Sequence, residues 1–136
     1  MKKVLFVLCL AVLLIGCAPV AEEPEEETGP DQELLAEIER VHNTPINDVD
    51  LSKVEDGTYE GAFGYHGVDY GVRVTVKDHK IESIEVIQTE EDEYAKMAEA
   101  VLDKVISEQK ITVDATTGAT TTSMAFLKAV EIALTG

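Results

Sequence analysis

The stretch YGVRVTVKDHKI, residues 70–81, decides the fold. Tyr70, Val72, Val74 and Val76 alternate with Gly71, Arg73, Thr75 and Lys77, the period of two that turns one face of a strand to a core and the other to water. Asp78 and His79 follow as a hairpin turn, histidine tolerating positive φ better than most residue types. Ile81, Ile84 and Val86 carry the return strand. Its apolar phase slips between Ile81 and Ile84, which predicts a bulge near Glu82 and Ser83.

Upstream, Asp56 and Gly57 are a turn signal that opens another strand. In it Tyr59, Gly61, Phe63 and Tyr65 share one face, and Gly67 ends it. A glycine on an otherwise aromatic face marks a place where another element can approach closely. Downstream, the period changes to about 3.6. Tyr94, Met97, Ala98, Val101, Leu102 and Val105 predict one stripe of a helix running from Asp92 to about Glu108, its start capped and charged by the acidic residues 90–93. Ile111, Thr112 and Val113 read as a brief extended segment, and Phe126, Ala129, Val130 and Ala133 mark a closing helix. The fold class is α+β: a small antiparallel sheet packed by two helices, spanning residues 56–136.

The first third of the 136 residues has a different character. Lys2 and Lys3 precede an apolar run over residues 4–15, about half of what a spanning helix needs, so residues 1–16 read as a signal peptide. Leu14, Ile15, Gly16 and Cys17 close it in a pattern that resembles the lipobox of bacterial lipoproteins, in which the peptide is cut before the cysteine and the thiol receives a diacylglyceryl group. Cys9, preceded by the bulky Leu8, is a poorer candidate. The alternative is an ordinary secretory signal followed by an incidental cysteine. On the lipobox reading the chain is a membrane-anchored lipoprotein outside the cytoplasm, held by acyl chains that each contribute about 0.8 kcal/mol per buried methylene.

Cleavage before Cys17 would leave nine basic against 27 acidic residues, a formal charge of −18. Such a surface excludes nucleic acid as a partner. Residues 17–33 read as an acidic, lipid-anchored tether: residues 18–39 hold nine acidic side chains and no basic one, with Pro19, Pro24 and Pro30 interspersed. Residues 34–55 read as a short helix and linker, since Leu34, Leu35, Ile38 and Val41 recur at helical spacing up to Asn43. No cysteine follows Cys17, which removes disulfides, iron–sulfur clusters and thiol nucleophiles from the folded part. His42, His66 and His79 show no metal-ligand spacing and read as surface or turn residues, so no metal site is expected.

The remaining signal is DATTGATTTS, residues 114–123, with five threonines in ten positions. Threonine is β-branched and competes for backbone hydrogen bonds, so this is loop and helix start and not helix interior. Gly118 and Ala119 permit close approach, and the free amides of a following helix point back at the loop, which are the ingredients of a phosphate site. The plainer alternative is that residues 120–123 merely supply an N-cap.

Asp114, Ala115, Thr116, Thr117, Gly118, Ala119 and Thr120 resemble the Asp-x-x-Ser/Thr-Gly-Ala-Thr flavinylation motif of the FMN-binding domain family, and Thr122 and Ser123 match its usual continuation. Members include the C subunit of the sodium-translocating NADH:quinone reductase and the G subunit of the Rnf electron-transport complex. Residues 56–61, Gly64, Tyr65 and the Val72, Val74, Val76 strand are similar to the family's opening hairpin, so the resemblance spans residues 56–136. It implies that the Thr120 hydroxyl is esterified to the phosphate of FMN, that Thr117, Gly118 and Ala119 surround that phosphate, and that Asp114 fixes the loop and presents it to a modifying enzyme. It also implies a magnesium-dependent flavin transferase as a partner, because the loop holds no base that could generate an alkoxide. The expected role is electron transfer between redox partner proteins, as a carrier or a reductase subunit and not a stand-alone enzyme. The alternative is a surface lipoprotein without flavin that acts as a binding module or accessory subunit. Where relatives carry a Glu-Thr-Pro-Gly loop, this chain has Thr89, Glu90, Glu91 and Asp92, so the lining of the flavin ring is left to Tyr59, Phe63, Tyr65 and Tyr70 as candidates.

Overall fold

In a computed structural model, which describes residues 31–136, three strands form one antiparallel meander: β1 (Gly57–Tyr65), β2 (Val68–Lys77) and β3 (Lys80–Gln88), in the order β1-β2-β3. The expected signal peptide, Cys17 and most of the expected tether lie outside the described residues. Both hairpins close in two residues. His66 and Gly67 have φ of 51° and 74°, and Asp78 and His79 have φ of 51° and 60°, the positive angles that match the right-handed twist of the flanking strands. The predicted bulge is present: Thr75 pairs with Ser83 and Val76 with Ile81, leaving Glu82 unopposed. A second slip, between Gly71 and Val72, leaves Ile87 unopposed as well.

Val72, Val74 and Val76 are buried to within 1% of full enclosure. They face α3 (Thr120–Thr135), whose Phe126 meets Tyr70 edge-on at 5.3 Å between ring centres, a favoured aromatic arrangement. Ala129 and Ala133 bring α3 directly onto β1 at Gly61, and Ala125, one turn earlier, is fully buried. Beside it runs α2 (Glu93–Glu108), capped by the Asp92 carboxylate, which accepts from the Ala95 amide at 2.6 Å. Its buried stripe is Ala95, Ala98, Val101, Leu102 and Val105. Tyr94 and Met97, expected in that stripe, are instead 61% and 43% exposed. Ala95 and Ala98 are the residues of this end of the helix that are buried, and the two longer side chains stand outside the stripe.

The segment before β1 is built into the domain. The helix α1 (Gln32–Asn43) buries Val41, and the short 3-10 helix Leu51–Lys53 delivers Val54 to the core. Between them, Asp48 accepts from the Ile111 and Thr112 amides at 2.7 and 3.1 Å and from the Thr112 hydroxyl at 2.6 Å. The extended run from Ile111 to Val113 is thus held by a side chain in place of a strand. Gln109, at φ 53°, works similarly at the edge of β3: its amide accepts from Ile81 N at 2.8 Å and donates to Ile81 O at 2.9 Å.

Glu131 of α3 is 8% exposed and accepts from Lys128 Nζ at 3.0 Å and from the Asn47 amide and side chain at 3.2 Å. Burial alone would raise its pKa, but the Lys128 and Asn47 hydrogen bonds together hold it below the ordinary 4.5. The ionised carboxylate therefore adds stability above that value, and the contribution is lost as pH falls through the folded-state pKa. Lys128→Met is expected to destabilise the protein by about 1–3 kcal/mol at pH 7, the penalty for a buried group stripped of a charged partner. Urea melts of both proteins should show the gap narrowing toward pH 4, as Glu131 takes up a proton. A gap that does not depend on pH would mean that the pair is electrostatically idle.

Candidate functional site

The threonine-rich stretch leaves the sheet's companion α2 and turns into α3. Lys104 Nζ holds the Asp114 carbonyl at 3.1 Å, the buried Ser123 Oγ accepts from the Thr116 amide at 3.1 Å, and the Ala119 amide returns to the Thr116 carbonyl at 3.0 Å. These three bonds fold residues 114–119 into a closed turn. Gly118 sits at its crest with φ 85°, a left-handed conformation that a side chain opposes, and an added Cβ would stand 3.2 Å from Met97 Cε.

α3 then starts at Thr120, with Ala119 in the N-cap position and no side-chain cap. The cap that residues 120–123 were an alternative source of is absent, because the helix has already begun there. The first amide of this helix turn to find an intrahelical partner is that of Ser123, which donates to the Ala119 carbonyl at 2.9 Å. Among the described residues, the amides of Thr120, Thr121 and Thr122 donate to no protein acceptor. Free donors at the positive end of a helix dipole favour an anion by about 0.3–2 kcal/mol.

A cavity of about 560 Å³ opens directly on this turn, lined by residues 118–122 and, from other elements, by Leu34, Ile38, Tyr65, His66, Tyr70, Glu90, Asp92 and Tyr94. Its size falls within the range typical of cofactor sites, about 300–1,000 Å³. Two of the four candidate ring-lining aromatics, Tyr65 and Tyr70, are here, stacked on each other at 6.2 Å between centres. The other two are elsewhere. Tyr59 donates its hydroxyl to the Glu55 carbonyl at 2.7 Å, and Phe63 lies under the Arg40 guanidinium at 5.2 Å.

Burial raises the Tyr65 hydroxyl's pKa, reinforced by Glu37 and Glu90. Burial likewise raises that of Tyr70, reinforced by Glu90 and Asp92 against a smaller opposing effect of Thr122. Both tyrosines therefore stay neutral donors at physiological pH, beneath an acidic rim.

The site residues read from sequence separate into three places. Gly118, Ala119, Thr120 and Thr122 line the cavity; Asp114 and Thr117 are exposed on the outer side of the turn; Ser123 lies beneath it as the brace just described. Periodicity placed Tyr94 in a helix stripe and the helix of Leu34 and Ile38 in a linker, so it gave no sign that they converge on this cavity. Nor did it show that His42 Nε2 lies 2.8 Å from the Thr121 hydroxyl, across 79 positions of sequence.

The arrangement fits a phosphate-tethered planar ring: free amides and a left-handed glycine for the phosphate, and an aromatic-walled space beside them for the ring. Residues 64–135 match the family described as FMN-binding domain. The chain is also 32% identical, over 98 residues, to an uncharacterized protein of Treponema pallidum (strain Nichols), a match covering 71% of this chain and 27% of that relative. The chain thus spans about a quarter of the length of the curated relative it matches. Residues 64–136 are too few to hold a match of that length, so the similarity reaches upstream of the family match.

Proposed function

The chain belongs to the FMN-binding domain family, and from that premise we propose that it is a membrane-anchored, extracytoplasmic flavoprotein whose FMN is joined by a phosphoester to Thr120 and serves electron transfer between redox partners. The observation that carries the proposal is the coincidence, at one end of one cavity, of the Thr120 hydroxyl, three free helix amides and Gly118 at φ 85°. A phosphodiester keeps one negative charge, and those amides supply a local positive field at the end of the helix. The rest of the protein, at −16 over the full sequence, repels an anion. A covalent bond is the direct remedy for a cofactor that is both repelled and irreplaceable outside the cytoplasm.

The reaction forms the Thr120 Oγ–phosphorus bond as the pyrophosphate P–O bond of FAD breaks, with AMP as the leaving group and the hydroxyl proton passing to a base. His42 lies 2.8 Å from the neighbouring Thr121 hydroxyl and engages it and not Thr120, and His66, which lines the same cavity, makes no hydrogen bond to Thr120 among the described residues. A separate, magnesium-dependent flavin transferase therefore supplies the activation. Once attached, the flavin supplies reversible two-electron and one-electron chemistry. The polypeptide contributes an anchor for the phosphate, neutral tyrosines against the ring, and the acidic side chains Glu90 and Asp92 at the mouth.

Anchoring rests on the Leu14-Ile15-Gly16-Cys17 pattern; no helix among the described residues is long and apolar enough to cross a membrane. The test is intact-mass analysis of the chain purified from membranes of cells with an active flavin transferase. The expected protein begins at an acylated Cys17, carries the mass of FMN less one water, and stays yellow after denaturation. A colourless chain that carries the lipid but no FMN mass under those conditions would leave the rival, a lipid-anchored binding module without flavin.

A further inference from the structure

The family match begins at Gly64, yet the cavity beside Thr120 has a wall that comes from before it. Leu34 and Ile38 lie one helical turn apart on α1, on the face that also carries Val41 and His42. Val41 is buried, and Leu34 and Ile38 are half-buried along the cavity. Leu35, one position round the helix, is 48% exposed. Three contacts set α1 against the domain: Arg40 donates to the Gly64 carbonyl at 2.7 Å and lies over Phe63, and His42 reaches Thr121 Oγ1 at 2.8 Å. The last contact ties the C-terminal end of α1 to the residue after the attachment hydroxyl.

We infer that α1 is part of the flavin site: Leu34 and Ile38 form the apolar wall facing Tyr65 and Tyr94 across the cavity, and His42 latches that wall to the attachment turn. This deepens the reading above and rests on it. The ligand class is fixed by the lining. A flat heteroaromatic ring leashed at Thr120 finds apolar side chains on one side, tyrosines on the other, and no lysine or arginine among the cavity's lining residues that would hold a second phosphate. An apolar wall on the α1 side keeps water from one face of the ring, which a helix acting only as a connector has no reason to do. Each partly buried Leu or Ile that gains a ring contact contributes in proportion to the area it shields.

The experiment uses the full chain co-expressed with a flavin transferase and reads two quantities. Intact mass reports attachment; iodide quenching of flavin fluorescence reports how much of the ring is open to solvent. The wild type is expected to show quenching several-fold weaker than free FMN. In the double variant Leu34→Ser, Ile38→Ser, quenching should rise toward the free value while the FMN mass is retained. Leu35→Ser, on the same helix but exposed and outside the cavity's lining, should behave as wild type. His42→Ala, which keeps the wall and removes the latch, should show an intermediate rise and guards against misfolding of the double variant.

Wild-type quenching equal to that of free FMN would overturn the inference, as would a double variant as protected as wild type together with an unchanged His42→Ala. Equal exposure by Leu35→Ser would overturn it too. A wild type lacking the FMN mass would overturn the attachment reading itself, a failure distinguishable from the others by the mass measurement alone.

Discussion

Thr120→Ala is expected to yield a folded protein that gains no FMN when co-expressed with a flavin transferase, while the wild type gains the mass of FMN less one water. The effect is all or none because the bond needs an oxygen at that position and alanine has none. Folding should not confound it. Thr120 is exposed, its side chain makes no hydrogen bond among the described residues, and it occupies the first position of α3. Surface changes of this kind shift stability by no more than about 0.5 kcal/mol, and alanine is the better helix former. Three companions sharpen the result. Thr120→Ser keeps the oxygen and should be modified. Thr121→Ala loses the 2.8 Å contact with His42 but keeps the attachment oxygen, and should also be modified. Gly118→Ala should be modified more slowly, since φ 85° is forced on a residue that resists it by about 1–2 kcal/mol, with Met97 already close by. FMN mass persisting in Thr120→Ala, or mapped by peptide analysis to a neighbouring threonine, would remove the assignment.

The stretch on which the proposed attachment rests, residues 114–123, is contiguous and can be read in sequence; the chamber beside it cannot, because it is assembled across the fold. Strand alternation in residues 70–76, the turn at Asp78 and His79 and the bulge at Glu82 are local properties, and each can be seen in a window of ten residues. The second slip, at Ile87, was hidden because Val86 and Ile87 are both apolar and adjacent, so the pattern does not say which of them faces inward. Tyr94 and Met97 misled for a related reason: helical spacing identifies a face but not how far along the helix a neighbour covers it. The contacts of His42 with Thr121 and of Asp48 with Thr112 span 79 and 64 positions. They depend on where α1 and the following segment are laid down, and no periodicity records that. Four aromatic residues on the first two strands looked equivalent in sequence, yet only Tyr65 and Tyr70 lie at the end of the sheet where α3 begins.

That placement of α3 depends on one residue, and Gly61→Val is expected to leave no folded protein at all. Gly61 lies on β1 opposite Val72, facing inward, where the aromatic face of the strand has its gap. A Cβ there would stand 2.3 Å from the Ala129 carbonyl oxygen, 2.4 Å from the Ala133 nitrogen and 2.9 Å from the Ala133 Cα. All three are backbone atoms, so no rotamer change relieves the overlap and the helix must move off the sheet. Overpacking a core by a methyl or two commonly costs about 1–3 kcal/mol, but that figure assumes side chains can yield. Here α3 would have to lift along its length, opening Phe126, Val130 and the valines of β2, which are the centre of the core. Domains of this size hold only about 5–15 kcal/mol of stability, so even Gly61→Ala should lower the urea midpoint sharply. Ala62→Val, exposed on the opposite face of the same strand and better suited to a strand, is the control and should change little. Far-UV circular dichroism and urea melts of the three variants would decide the matter. A Gly61→Val protein that melts like the wild type would show that α3 does not rest directly on β1, and the arrangement of free amides at its first turn would then need a different support.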